Sequence, residues 1–540
     1  MLENLALFAW FLGTFFTAGP TVQLNDAIIT GIDAANVSKF LGIPYALPPV
    51  GSLRFRKPVP FEITSDRNVQ SYGPSCPQQK VGFVPFNGSA DISAFGNNPV
   101  LNYAPGEESE DCLTINVMRP LDTGPQDRYP VVVWIYGGAF QFGNAESHDI
   151  MGARIVKRSV ALGTPVIYVA MNYRSSAFGF LGGQQVFEEK VGNLGLWDQR
   201  LALSWVKRHI ESFGGNSSQI MIWGISSGAI SVALQMIGPD SGENKEDLFH
   251  SAFMQSGATI PIGHITEGQK HYDFLLKETG CAKPGIDTLN CLRILDYPIL
   301  KAAVDKSPSV SDYTSLNLAW VPRADGEFLK DNPQRMTQRG LVAKVPFVSG
   351  GVDDEGTVFG LSSRSVTTEE DFRQYVHEIF APKAPIEELD PLWTLYPSIP
   401  SEGSPFDTGN NNTFLSPQFK RMSAFQGDVV FQAPIRFFLQ SLSGRQKMWS
   451  FLSKQLKYLP ALGSFHGSDF LLTLMEDYLI RFAVRHDPNN GTEPVWPEYT
   501  RESPQRYIFP PWFGTPTVQL DTQRADQMAF LTNLSLAYPL

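Results

Sequence analysis

Short runs that are apolar on both faces alternate along this chain with stretches of helical periodicity. Residues 131–136 (VVVWIY), 166–171 (VIYVAM), 220–223 (IMIW), 252–254 (AFM) and 345–348 (VPFV) carry almost no polar position. That is the pattern of strands covered on both sides, as in a parallel sheet. Between them, Leu201, Trp205, Val206, Ile210 and Phe213 recur at helical spacing, and Gly214-Gly215 supplies a stop that can turn left-handed. Strand and helix in alternation predict an α/β fold with a large, mostly parallel central sheet and helices on both faces. No repeat, low-complexity tract or linker divides the chain, so residues 19–540 are expected to form one domain. Ligands of such sheets bind beyond the carboxyl ends of the strands, and the chemistry is to be sought there.

Composition narrows the class. Of 540 residues 43% are hydrophobic and 18% charged, enough apolar material for a large core and against disorder. With 43 Lys+Arg against 54 Asp+Glu the net charge is −11, which leaves no electrostatic footprint for nucleic acid. The sequence lacks a P-loop, a G-x-G-x-x-G fingerprint, H-E-x-x-H and C-x-x-C, so no nucleotide cofactor and no metal are expected. Residues 5–16 form an apolar run too short to span a bilayer, with small residues after it. Residues 1–18 therefore read as a secretory signal cut near Ala18, although Glu3 replaces the usual basic start. No other stretch is long and apolar enough to predict a membrane span. The four cysteines, Cys76, Cys112, Cys281 and Cys291, allow three pairings. Joining sequence neighbours would close loops of 36 and 10 residues. N-x-[ST] sequons at Asn36, Asn87, Asn216, Asn411, Asn490 and Asn533 fit an extracellular route.

The apolar run 220–223 leads directly into Gly224-Ile-Ser-Ser-Gly228, and a helical pattern follows from Ala229. Strand, G-x-S-x-G, helix is the setting of a nucleophile elbow, in which a tight turn lifts a serine hydroxyl above the sheet. A glycine-rich surface turn is the plain alternative, and the flanking strand and helix argue against it. Ser226 is thus the candidate nucleophile. A serine hydroxyl needs a base, and the base needs a third group to orient it. In this arrangement the chain order is Ser, then acid, then His. The strand at 345–348 opens into Asp353, Asp354 and Glu355, which spacing does not separate. Of the later histidines, His377 lies in a charged helical run and His486 in a turn, whereas His466 sits on a glycine-flanked loop. The run at 131–136 opens into Gly137-Gly138-Ala139, where small residues let backbone amides approach a substrate. The amides of Gly138, Ala139 and Ser227 are the expected oxyanion donors.

Taken with Phe40–Tyr45, Glu110–Leu113, Trp134–Phe140, Asn172–Arg174, Asn193–Gln199, Gln255–Gly257, Asp354–Thr357 and Trp496–Tyr499, these residues resemble the type-B carboxylesterase/lipase family, which includes cholinesterases and Candida- and Geotrichum-type lipases. The resemblance covers nearly the whole chain beyond the leader. It implies an α/β-hydrolase fold with Ser226 as nucleophile, Glu355 as acid and His466 as base. It also implies disulfides Cys76–Cys112 and Cys281–Cys291 and ion pairs Arg54–Glu110 and Arg174–Asp198. The segment between Cys76 and Cys112 resembles the family's flap, with Phe83, Val84, Phe86, Phe95, Leu101 and Tyr103 able to face an acyl chain. The family usually reads G-E-S-A-G. Here Ile225 replaces a buried carboxylate, while Ser227 still offers its backbone N–H.

The expected activity is cofactor-free hydrolysis of a small ester or lipid by a secreted serine esterase. A lipase preferring long acyl chains, in contact with a lipid interface, and a non-catalytic esterase-fold binding protein are the alternatives.

Overall fold

The computed structural model describes residues 19–82, 106–411, 415–470, 473–491, 494–512 and 514–540. The expected leader, the six flap residues and the sequon at Asn87 lie outside the described residues.

Among these residues, eleven strands form the central sheet. From edge to edge they are Thr517–Leu520, Gln505–Phe509, Met448–Ser453, Phe347–Val352, Ser251–Gln255, Gly215–Ile225, Tyr129–Ile135, Ile167–Met171, Thr114–Arg119, Val37–Pro44 and Ile32–Ala34. The strands from Gln505–Phe509 to Ile167–Met171 run parallel, and those outside them on both edges are antiparallel. The fold is that of an α/β-hydrolase: a large, mostly parallel sheet flanked by helices. All five apolar runs fall in parallel strands, because only a strand covered on both faces can be apolar throughout.

All five strands shift at a boundary from the runs read in the sequence, two of them most. The strand expected from Val345 begins at Phe347, since Pro346 has no N–H to give; its carbonyl instead accepts from Ala252 N at 3.1 Å. The strand expected at 220–223 extends over Gly215–Ile225, and its polar first half pairs through an irregular register with Tyr129. The periodic helix spans Leu194–His209, tightens into a 3-10 turn over Ile210–Phe213 and stops at Gly214 with φ +86°. The antiparallel strands Val37–Pro44 and Thr114–Arg119 carry no continuous apolar run and were not expected as strands.

The core packs Trp134 against Trp223, ring centroids 4.3 Å apart, beneath the active rim of the sheet. A second apolar cluster, including Phe372, Tyr375, Leu392 and Phe425, joins the helices after strand Phe347–Val352 to the helix Ala525–Ala537 through Met528 and Leu531. Disulfides join Cys76 to Cys112 and Cys281 to Cys291. Arg54 lies 2.6 Å from Glu110, and Arg174 lies 2.7 Å from Asp198; all four side chains are buried. Arg54 also donates to the carbonyls of Leu292, Arg293 and Leu295, so the pair ties the segment after the second disulfide to the first. No helix among the described residues is long and apolar enough to cross a membrane.

Candidate active site

Strand Gly215–Ile225 ends one residue before Ser226, and helix Ser227–Ile237 begins one residue after it. Between the two, Ser226 adopts φ +57° and ψ −128°, a conformation that a non-glycine residue holds only under constraint. The constraint is steric. A Cβ on Gly224 would lie 2.5 Å from the Gly228 carbonyl, and one on Gly228 would lie 2.1 Å from the Ile135 oxygen. Both glycines of the pentapeptide are therefore demanded by close backbone approach. The Ser226 N–H donates to the carbonyl of Gln255 at 2.8 Å, which ties the turn to the neighbouring strand. Ser226 stays half-exposed while the residues on either side are buried.

Past strand Tyr129–Ile135, residues Gly137, Gly138 and Ala139 are likewise half-exposed, unlike the buried residues flanking them. Gly138, Ala139 and Phe140 hold φ of +117°, +56° and +56°, so the chain turns back on itself here. A Cβ on Gly137 would meet the Ile225 oxygen at 2.6 Å and the Ser226 Cβ at 3.0 Å. The glycine loop thus abuts the serine turn directly. The amide of Ser227 opens the helix, where the first N–H groups have no intrahelical acceptor.

The three acids after strand Phe347–Val352 separate cleanly. Asp354 forms a bridge with Phe465. The next residues, Glu355 and His466, consequently stand side by side, with His466 Nδ1 2.5 Å from Glu355 Oε2. The other oxygen of Glu355 accepts from Val352 N at 2.9 Å. Asp353 and Asp354 turn the other way, onto Lys457 Nζ at 2.5 and 2.9 Å. Asp354 also accepts from Ser404 Oγ and from the amides of Phe406 and Ser464. It is a buried fastening point for three loops, and no oxygen is left to serve an imidazole.

His466 and Glu355 are both buried. The rings of Phe359 and Phe431 flank the imidazole at 5.1 and 4.6 Å between centroids. Nε2 of His466 makes no hydrogen bond, to Ser226 or to any other group. Such contacts are often long before a substrate is in place. His377 lies in a π-helical turn, Val376–Phe380, and His486 caps the helix Glu476–Arg485 in the left-handed region; the imidazole on Glu355 is that of His466. Ile225 is buried in the apolar core and, having no polar atom, needs no partner there.

Two residues to which the sequence gives no catalytic part, Gln255 and Asp469, link the elements. Gln255 accepts from Trp223 Nε1 at 2.6 Å and donates to Asp469 Oδ2 at 2.9 Å, while its backbone carbonyl holds Ser226. Asp469 lies three residues after His466. Gln255 falls in one of the motifs that carry the resemblance, but no local pattern gives the contacts of either residue, since their partners come from other elements.

The chain matches the Carboxylesterase family over residues 18–474. It is 41% identical over 516 residues to Lipase 2 of Diutina rugosa, covering 91% of this chain and 92% of that protein. It is 37% identical over 510 residues to Secreted lipase 1 of Botryotinia fuckeliana (strain B05.10), covering 89% and 88%. Among solved structures it resembles the crystal structure of Aspergillus niger EstA with a TM-score of 0.79 at 25% identity, over 97% of this chain and 99% of that one. With an α/β-hydrolase sheet, a strained serine at its rim and relatives matched over nine-tenths of its length, the chain belongs to the type-B carboxylesterase/lipase family and is a carboxylic ester hydrolase.

Proposed function

We propose that the chain cleaves carboxylic esters through a covalent acyl-enzyme, with Ser226 as nucleophile, His466 as base and Glu355 as the acid that orients it. The observation that carries this reading is the imidazole of His466, clamped at Nδ1 by Glu355 and left free at Nε2, on the same sheet rim as a serine in a strained turn. His466 takes the Ser226 proton through Nε2 as the hydroxyl attacks the ester carbonyl. Glu355 stabilises the imidazolium without taking the proton itself. The amides of Gly138, Ala139 and Ser227 hold the oxyanion; one such donor commonly contributes about 3–4 kcal/mol to the transition state. His466 then protonates the leaving alcohol, and water releases the acid by the same route. Because the base must be neutral, activity falls in acid.

Ser226→Ala tests the assignment. The folded variant is expected to lose ester hydrolysis and labelling by a fluorophosphonate; retention of most activity overturns it. A second reading, hydrolysis of long-chain triacylglycerols, draws on the lipase names of the relatives. A chain-length series of soluble and emulsified esters separates the two.

The secreted relatives support export of this chain as well, with residues 1–18 as the leader and residues 19–540 as the hydrolase domain. Asn36, Asn411 and Asn533 are exposed and open to glycosylation. Asn216 and Asn490 are half-buried.

A further inference from the structure

The glycine loop after strand Tyr129–Ile135 holds a shape that its own residues do not favour. Ala139 and Phe140, neither of them glycine, lie in succession at φ +56°, where a side chain is strained. Such a loop keeps its shape only if both ends are held. The strand fixes its entry. Its exit is Gly143, and the side chain of Gln78 grips that residue twice. Gln78 Oε1 accepts from the Gly143 N–H at 2.6 Å, and Nε2 donates to the Gly143 carbonyl at 3.2 Å.

We propose that Gln78 is a positioning residue for ester hydrolysis: by holding both backbone groups of Gly143, it keeps the amides of Gly138 and Ala139 aimed at the oxyanion. The inference rests on the oxyanion assignment above.

Three observations support this. First, the grip reaches the donors through contacts that leave no slack. A Cβ on Gly143 would lie 2.4 Å from the Tyr136 ring and 2.6 Å from the Gly137 oxygen, and one on Gly138 would lie 2.1 Å from the Phe142 oxygen. The Gly138 carbonyl also accepts from the N–H groups of Gln141 and Phe142, at 2.9 and 3.1 Å. A shift of Gly143 therefore carries Gly137 and Gly138 with it. Second, Gln78 is itself fixed. It is 2% exposed. Its Nε2 also donates to the carbonyl of Cys76, which the disulfide ties to Cys112. Its backbone N–H donates to Glu108 Oε2 at 3.1 Å, the Pro77 carbonyl accepts from Ser175 Oγ at 3.1 Å, and the Gln79 N–H donates to the Gln141 carbonyl at 2.8 Å. Third, the amide suits the task. It carries one acceptor and one donor group on a single carbon, which is what the N–H and C=O of one residue require. None of its hydrogen bonds goes to Ser226, His466 or Glu355, so its loss leaves the bonds of the triad intact.

The test compares a soluble short-chain ester with its thiono counterpart, in which C=S replaces C=O, for wild type, Gln78→Met and Gln78→Asn. Sulfur is a weak acceptor, so the thiono ester draws little on the amide donors. Met keeps the volume of Gln78 and removes its hydrogen bonds. Rates are taken per site titrated with a fluorophosphonate, which removes the effect of unfolded protein. In Gln78→Met, kcat on the oxo ester is expected to fall about 10–100-fold with KM within about twofold, while kcat on the thiono ester falls less than about threefold. Gln78→Asn, one methylene shorter, cannot span both groups of Gly143; it is expected to shift the ratio in the same direction and carries the test if the Met variant does not fold. Equal losses on the two esters, with the oxo preference of wild type retained, overturn this inference alone, whatever happens to the melting temperature. A wild type that never labels, or that prefers the oxo ester no more than hydroxide in solution does, overturns the oxyanion assignment and this inference together.

Discussion

Glu355 and His466 meet because the residues immediately before them, Asp354 and Phe465, are paired backbone to backbone. Asp354 is in turn locked to Lys457, Ser404, Phe406 and Ser464. Glu355 and its neighbour therefore divide the labour: Glu355 holds the imidazole of His466, and Asp354 serves the fold.

This division is separable by mutation. Glu355→Gln is expected to fold normally and to lose about 10³–10⁴ in kcat, because the imidazole loses its anion and its fixed tautomer. Asp354→Asn leaves Lys457 with less of its buried charge compensated and is expected to lower stability by about 3 kcal/mol or more. Circular dichroism melts alongside steady-state kinetics read both effects. Equal activity loss without destabilisation in the two variants would contradict the division.

Gly137→Ala forces a methyl against the Ile225 carbonyl and the Ser226 Cβ, at 2.6 and 3.0 Å. Overpacking of this kind costs about 1–3 kcal/mol. It falls on the contact between the glycine loop and the serine turn. The variant is expected to lose kcat by more than its drop in stability accounts for, measured on the fraction that still labels with fluorophosphonate.

His148 is buried between Trp134 and Phe470, and burial holds its pKa at about 4, below the ordinary 6.5. A histidine kept neutral in the fold takes up its proton more readily when unfolded. Its contribution is thus complete above pH 6.5 and is lost as pH falls from there to about 4. The loss is about 3 kcal/mol. Urea unfolding between pH 7 and pH 4 should show a shallower decline in His148→Phe than in wild type. Parallel declines would rule His148 out as the group responsible.

Breaking the shorter disulfide, by Cys281→Ser with Cys291→Ser, frees a loop of 10 residues. Loop-closure entropy puts the loss near ~3 kcal/mol. The melting temperature is expected to fall while kcat at 25 °C stays within about twofold, as for independent sites.

The pentapeptide around Ser226, the glycines at 137 and 138 and the five apolar strands were legible in the chain because each rests on neighbours in sequence. A tight turn needs its glycines two residues away, and a strand covered on both faces needs an unbroken apolar run. The antiparallel strands Val37–Pro44 and Thr114–Arg119 were not legible, because a strand of mixed polarity becomes one only when a partner arrives. Spacing could not choose among Asp353, Asp354 and Glu355; only the resemblance to a family did.

Local order in the chain, then, dictated five of the sheet's seven parallel strands, the strained serine and the backbone loop facing it, since those depend on steric demands felt within a few residues. Which carboxylate reaches His466, which binds Lys457, and that Gln255 meets Asp469 were settled by folding. Each of those contacts joins residues about a hundred positions or more apart, at 111, 104 and 214. A hydrogen bond is felt only over some 3 Å, so it exists only after the strands have set their side chains together.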